Sequence, residues 1–433
     1  MGLARNSTTS WATLAARAPS ATAWARRRFR PWVLASAIAP LCLAVGIGWA
    51  AGALAAAPAA PLVADQNPVA VGAPGTLIQS KPDFGAPLGA AAYRILYRST
   101  GLDGQPIEVS GMVVVPAGPP PPGGRLIVAW AHPTTGVVER CAPSQARIRF
   151  QMISGLRDMV AHGYVVAATD YPGLGTAGPH PYLVGVSEGR AVLDSVRAAR
   201  ALPGVGAGAR FAVWGHSQGG QAALFTGLLA KSYAPDLQLV GVAAAAPATE
   251  LATLMQAEIN TFAGRNLTGM TLWSWARVYG APIDKVVEPS AMPTVDRLAK
   301  ECIESIFDIM ARQRTSRPLD KAFLSVPDVA ETEPWASLLA RNTPGVLSAD
   351  IPVFLAQGTK DQIVLPEVTR DYMRRLCMSG SAVELDVMAG VGHGFIAAKS
   401  AKAAVSWISD RFAGLPAPSD CQSLKAAAEG SRA

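Results

Sequence analysis

Hydrophobic and polar positions alternate in "AYRILYR" (92–98) and again in "IEVSGMVVVP" (107–116), with the turn-rich "STGLDGQP" between them. A period of two predicts strands with one buried face, so these segments form an opening β-hairpin. The pattern then changes. "RLIVAWAH" (125–132) is a short, continuously apolar run of the kind that makes a strand buried on both faces. Helical periodicity follows in 146–163, then the strand-like "YVVAATD" (164–170), a helix over 187–202, the strand-like "RFAVWG" (210–215) and a helix from Gln218. "LQLVGVAAAAP" (237–247), "IPVFLAQG" (351–358) and "AVELDVMAG" (382–390) read as further strands, with helices near 366–377 and over 394–414. Strands alternating with helices predict a mostly parallel, doubly wound sheet covered on both faces, an α/β fold.

The strand rhythm stops between 248 and 349, where Met- and Trp-containing segments such as "MTLWSWARVYG" read as helices. This insertion is expected to be a helical cap over the sheet, because pockets in open α/β sheets form outside the carboxyl ends of the strands. The core is thereby divided into 92–247 and 350–421. Residues 58–91 form an Ala/Pro-rich linker and N-terminal extension, and 422–433 a tail.

At 433 residues, half of them hydrophobic, the chain is long enough to bury a large core. The first 57 residues stand apart: six arginines, no lysine, no acid, then the apolar run "PWVLASAIAPLCLAVGIGWAAGALAAA". That composition predicts an export signal, with a retained membrane anchor as the alternative. The formal charge of +7 belongs to this leader, since without its arginines 32 basic residues face 31 acidic ones. No basic face remains for nucleic acid. Cys42 lies in the leader, leaving Cys141, Cys302, Cys377 and Cys421, an even set that in an exported protein predicts two disulfides of open connectivity. No Cys/His spacing calls for a metal, and no cofactor is expected.

The chemistry centres on Gly215-His216-Ser217-Gln218-Gly219, a G-x-S-x-G pattern between an apolar strand and an Ala/Leu-rich helix. Small residues flank such a serine because the strand-to-helix turn is too sharp for side chains, and the turn projects the hydroxyl at a helix N-terminus. Ser217 is therefore the candidate nucleophile. The order in this fold class is serine, acid, histidine, and His393 alone among the five histidines follows Ser217 at a distance. Asp361 stands in the loop directly after "IPVFLAQ", where a carboxylate can orient the imidazole, whereas Asp386 lies within a strand and Asp350 precedes one. The Gln218 N–H and an N–H of Thr134 or Thr135, in the loop "AHPTTG", are candidate oxyanion donors. Pro133 has no N–H to give, and His132 is expected to shape the loop. Asp170 and Tyr171 are candidates to line the acyl site, with a tight, self-satisfied turn as the competing reading.

"WAHPTTG", "ERCAPS", "DYPGLGT", "YLVGVSEGRAVLDSVRAAR", "GHSQGGQAA" and "QGTKDQIV" together resemble the secretory lipases of the lipase-A type, over about Tyr93 to Cys421. The resemblance implies an α/β-hydrolase core, a cap inserted between the sixth and seventh core strands, and hydrolysis of triacylglycerols or other carboxylic esters. It also implies the pairings Cys141–Cys302 and Cys377–Cys421. Pro133 departs from the glycine that many relatives carry after the histidine, and stiffens the loop. The expected partners are a lipid or ester substrate and a lipid interface. An acyltransferase using the same acyl-enzyme, a peptidase and a non-catalytic lipid-binding homologue are the alternatives.

Overall fold

The computed structural model describes residues 72–422. The expected export segment, the start of the linker and nearly all of the tail lie outside the described residues. In chain order the elements begin with β1 (Leu77–Asp83), β2 (Ala90–Thr100), β3 (Pro106–Pro116), β4 (Arg125–Ala131), α1 (Leu156–Ala161), β5 (Val165–Thr169) and α2 (Gly185–Ala201). They continue with β6 (Ala207–His216), α3 (Gln218–Tyr233) and β7 (Gln238–Ala245). Five helices follow without a long strand: α4 (Leu251–Glu258), α5 (Phe262–Val278), α6 (Met292–Ala299), α7 (Ile306–Thr315) and α8 (Trp335–Asn342). The chain then closes with β8 (Val353–Gly358), α9 (Pro366–Met378), β9 (Val383–Met388) and α10 (His393–Phe412).

One sheet runs in the order β1-β2-β3-β5-β4-β6-β7-β8-β9. Pairing is antiparallel from β1 to the β3–β5 pair and parallel from β5 through β9. The chain leaves β4 for one side of the sheet and β6 for the other, so the loops after these two strands diverge and open a crevice. Alternation of side chains divides β4 between two cores. Val128 and Trp130 join a cluster with α1 and α10, whereas Ile127, Ala129 and Ala131 join one with α2 and α3. Burial on both faces explains the continuous apolar run of this strand.

Two elements differ from the sequence expectation. β1 adds a ninth strand from within the stretch read as linker and extension, pairing with β2 at the sheet edge. The helical pattern over 146–163 yields only α1, because irregular turns fill 146–154 and Gly155, at φ 81°, breaks from helical backbone. Cys141 is bonded to Cys302 and Cys377 to Cys421, with Cα separations of 5.2 and 5.4 Å.

Candidate active site

Ser217 sits between β6 and α3 at φ 57°, ψ −118°, a strained conformation for a non-glycine residue. Crowding shows why glycine flanks it. A Cβ on Gly215 would lie 2.0 Å from the Gly219 carbonyl oxygen, and one on Gly219 would lie 2.0 Å from that of Ala131. The second contact means that α3 packs its first turn directly against the loop leaving β4, which brings the two expected oxyanion segments together.

The loops after β8 and β9 are similarly joined. The Lys360 N–H donates to the Val391 carbonyl at 2.9 Å, and a Cβ on Gly358 would meet that carbonyl at 2.3 Å. Held in this way, His393 at the start of α10 reaches both partners: its Nδ1 lies 2.8 Å from Asp361 Oδ2 and its Nε2 2.8 Å from Ser217 Oγ. Asp361 Oδ1 accepts the N–H groups of Ile363 and Val364, each at 2.9 Å. Burial works to raise this carboxyl, but the His393 bond and charge and the two N–H donors hold it below the usual carboxylate range. An ionised Asp361 accepts a hydrogen bond from Nδ1–H and so keeps the proton on Nδ1, which leaves Nε2 free to accept from the serine hydroxyl.

Gln218, whose N–H opens α3, is fixed by a buried network. Its amide donates to Glu188 Oε1 and to His180 Nε2, both at 2.8 Å, while His180 Nδ1 donates to the Pro172 carbonyl at 2.9 Å. Burial pushes His180 down to about 3, consistent with a neutral ring that accepts at Nε2. Burial also pushes the Glu188 carboxyl up to about 8. Sequence reasoning missed His180 and Glu188, since chain order excludes His180 as the base and nothing in "SEGRAVLD" marks the glutamate.

In the loop after β4, Thr134 Oγ1 lies 3.0 Å from the Tyr182 hydroxyl, and the Thr135 carbonyl accepts the Ile303 N–H at 2.7 Å. His132 is buried, its Nδ1 2.7 Å from the Pro133 carbonyl and its Nε2 3.2 Å from that of Asp170. Burial pushes this ring down to about 4.

Asp170 and Tyr171, for which an acyl-site role and a self-satisfied turn were both open, are buried. Asp170 is buried and spent on Ser144 and Ser110, accepting the Ser144 N–H at 2.8 Å and the two hydroxyls at 2.5 and 2.7 Å. Tyr171, at φ 65°, turns beneath the oxyanion loop, where its hydroxyl donates to the His132 carbonyl at 3.2 Å. Both brace that loop from below. The cavity that opens on Ser217 and Gln218 is lined instead by cap residues including Leu251, Leu254, Met255 and Leu267, with Val364 from the Asp361 loop. It measures about 70 Å³.

The family model of the secretory lipases matches residues 144–420, which include Ser217, Asp361 and His393. The chain belongs to the secretory lipase family. This secretory lipase is 25% identical over 384 residues to lipase A of Arthroderma benhamiae, covering 81% of this chain and 78% of the relative. It is 26% identical over 357 residues to a secreted triacylglycerol lipase of Malassezia globosa, covering 77% and 76%. The crystal structure of Candida antarctica lipase A matches with a TM-score of 0.69 at 18% identity, over 81% of this chain and 84% of that one. That likeness establishes the α/β-hydrolase fold. Family membership makes the protein a secreted carboxylic-ester hydrolase.

Proposed function

We propose that this secretory lipase cleaves triacylglycerols or other acyl esters through an acyl-serine at Ser217. The observation that carries the reading is the unbroken chain of hydrogen bonds from Ser217 Oγ through His393 to Asp361. His393 Nε2 takes the hydroxyl proton as Oγ bonds to the ester carbonyl carbon. The oxyanion lies against the Gln218 N–H and an N–H of the Thr134–Thr135 segment. The intermediate collapses, and His393 returns the proton to the departing alcohol. Water, deprotonated by the same imidazole, then attacks the acyl-serine, and as the acyl–oxygen bond breaks His393 returns the proton to Ser217 Oγ and the acid is released. Asp361 keeps the imidazole in the required tautomer throughout.

Contact with a lipid surface belongs to the same proposal. α7 turns Ile306, Phe307, Ile309 and Met310 to solvent, Phe307 at 76% exposure. Its first residue lies three positions after Ile303, which is bonded to the oxyanion loop. An apolar helix face beside the crevice suits an enzyme whose substrate is a lipid aggregate. Export is assigned to the basic leader and apolar run of residues 1–57.

A series of nitrophenyl esters from short to long acyl chains, together with an emulsified triacylglycerol, tests this reading. Hydrolysis is expected to fall by about 10⁴-fold or more in Ser217→Ala. Preference for long chains and for the emulsion marks a lipase, and a confined short-chain preference a small esterase. Undiminished turnover in Ser217→Ala removes the proposal.

A further inference from the structure

Glu258, the last residue of α4, lines the same cavity as Ser217, among side chains that are mostly apolar. The residue is only 4% exposed, and its Oε1 is buried without a hydrogen-bond partner. Among the described residues no ion pair accounts for this carboxyl, and one at the carboxyl end of a helix meets the negative pole of the helix dipole. The charge of Asp361 acts in the same direction. Burial, reinforced by Asp361, pushes the group up to about 8. Near neutral pH the cap therefore presents an uncharged acid to the cavity, able to donate one hydrogen bond and to accept others. Two threonines of α5, Thr268 and Thr271, line the same space one helical turn apart. The Thr271 hydroxyl already donates to the Leu267 carbonyl at 2.9 Å, whereas the buried Glu258 Oε1 has no partner.

A pocket built only for hydrocarbon has no use for such a group, because a plain alkyl chain covers the carboxyl and leaves its bonds unmade. A chain that carries its own hydroxyl or oxo oxygen completes them. We infer that Glu258 is a specificity-determining residue that selects acyl groups bearing a hydroxyl or oxo substituent along the chain, bonding that oxygen beneath the cap. The inference rests on the ester-cleaving reading of the site and narrows its substrate class.

The test compares kcat/KM of the purified protein for ethyl alkanoates and for their hydroxylated counterparts of equal chain length, from butanoate to octanoate. The unsubstituted protein is expected to favour the hydroxylated member of at least one pair by about tenfold or more. Glu258→Leu is expected to reverse that preference. Glu258→Gln, nearly the same shape and still a donor and acceptor, is expected to retain part of it. The ratio is internal to each variant, so a change in the amount of folded enzyme does not alter it. A preference for the plain alkyl member in every pair, or a ratio unchanged in Glu258→Leu, overturns the inference and leaves ester hydrolysis standing. Absence of Ser217-dependent hydrolysis of any ester removes the hydrolase reading, and this inference with it.

Discussion

Asp361 illustrates how one side chain sets the state of another. Its carboxylate accepts a hydrogen bond from the His393 Nδ1–H at 2.8 Å, and only with the proton held on Nδ1 can Nε2 serve Ser217. Asp361→Asn is expected to preserve the fold but to lower kcat by about 10⁴-fold, because an amide that donates to Nδ1 selects the wrong tautomer. Rates on a soluble ester measured beside a circular dichroism spectrum test this, and a loss below tenfold contradicts the assigned role. The three residues were legible in the sequence because each is tied to local grammar: a serine between glycines, a carboxylate just past a strand, a histidine late in the chain. For Asp170 and Tyr171 two readings stayed open, because proximity in sequence to a strand end does not say whether a side chain faces the crevice. His180, Glu188 and Glu258 were invisible for a related reason, since their roles arise only when distant segments close around Gln218 and the cap cavity.

Among the elements, period-two and continuous apolar runs located most strands, because burial on one or both faces leaves a direct mark on composition. β1 escaped notice, as "LIQSKPD" is an edge strand with no fully buried position and contains a proline. The short α1 was overestimated because apolar spacing persists through Gly155 while the backbone does not. The cap helix α7 carries its own prediction. Replacing Phe307 and Met310 together with serine removes apolar area that only a lipid phase would bury, so activity on emulsified triacylglycerol is expected to fall by about tenfold. Turnover of a soluble short-chain ester is expected to stay unchanged. Equal loss on both substrates, or on neither, contradicts interfacial contact by this helix. The Cys141–Cys302 bond links the segment after the oxyanion loop to the segment before α7, so the loop and this face of the cap are covalently joined.

Over the whole molecule, buried acids and buried histidines set the dependence of stability on pH. Burial pushes Glu188 and Glu258 each up to about 8, so the folded protein keeps protons that the unfolded chain releases above the ordinary carboxyl value of 4.5. Their contribution to stability is full below that value and is lost as pH rises through about 8. Asp361, held below its ordinary range, acts oppositely and loses its contribution as pH falls through its folded pKa. His132, His180 and His216, pushed by burial down to about 4, 3 and 3 from 6.5, act against the glutamates below pH 6.5, so stability is expected to decline between pH 6.5 and 8, and Glu188→Gln to flatten that decline, as followed by denaturant midpoints. An unchanged slope contradicts the buried, protonated state of Glu188. The central claim is that the crevice between β4 and β6 activates one serine through an imidazole and a carboxylate brought from two other loops. Mass mapping of the protein after reaction with a fluorophosphonate addresses that claim most directly. A single adduct on Ser217, abolished in His393→Ala and formed in step with loss of ester hydrolysis, is the expected result; no adduct, or one on another residue while hydrolysis continues, contradicts it.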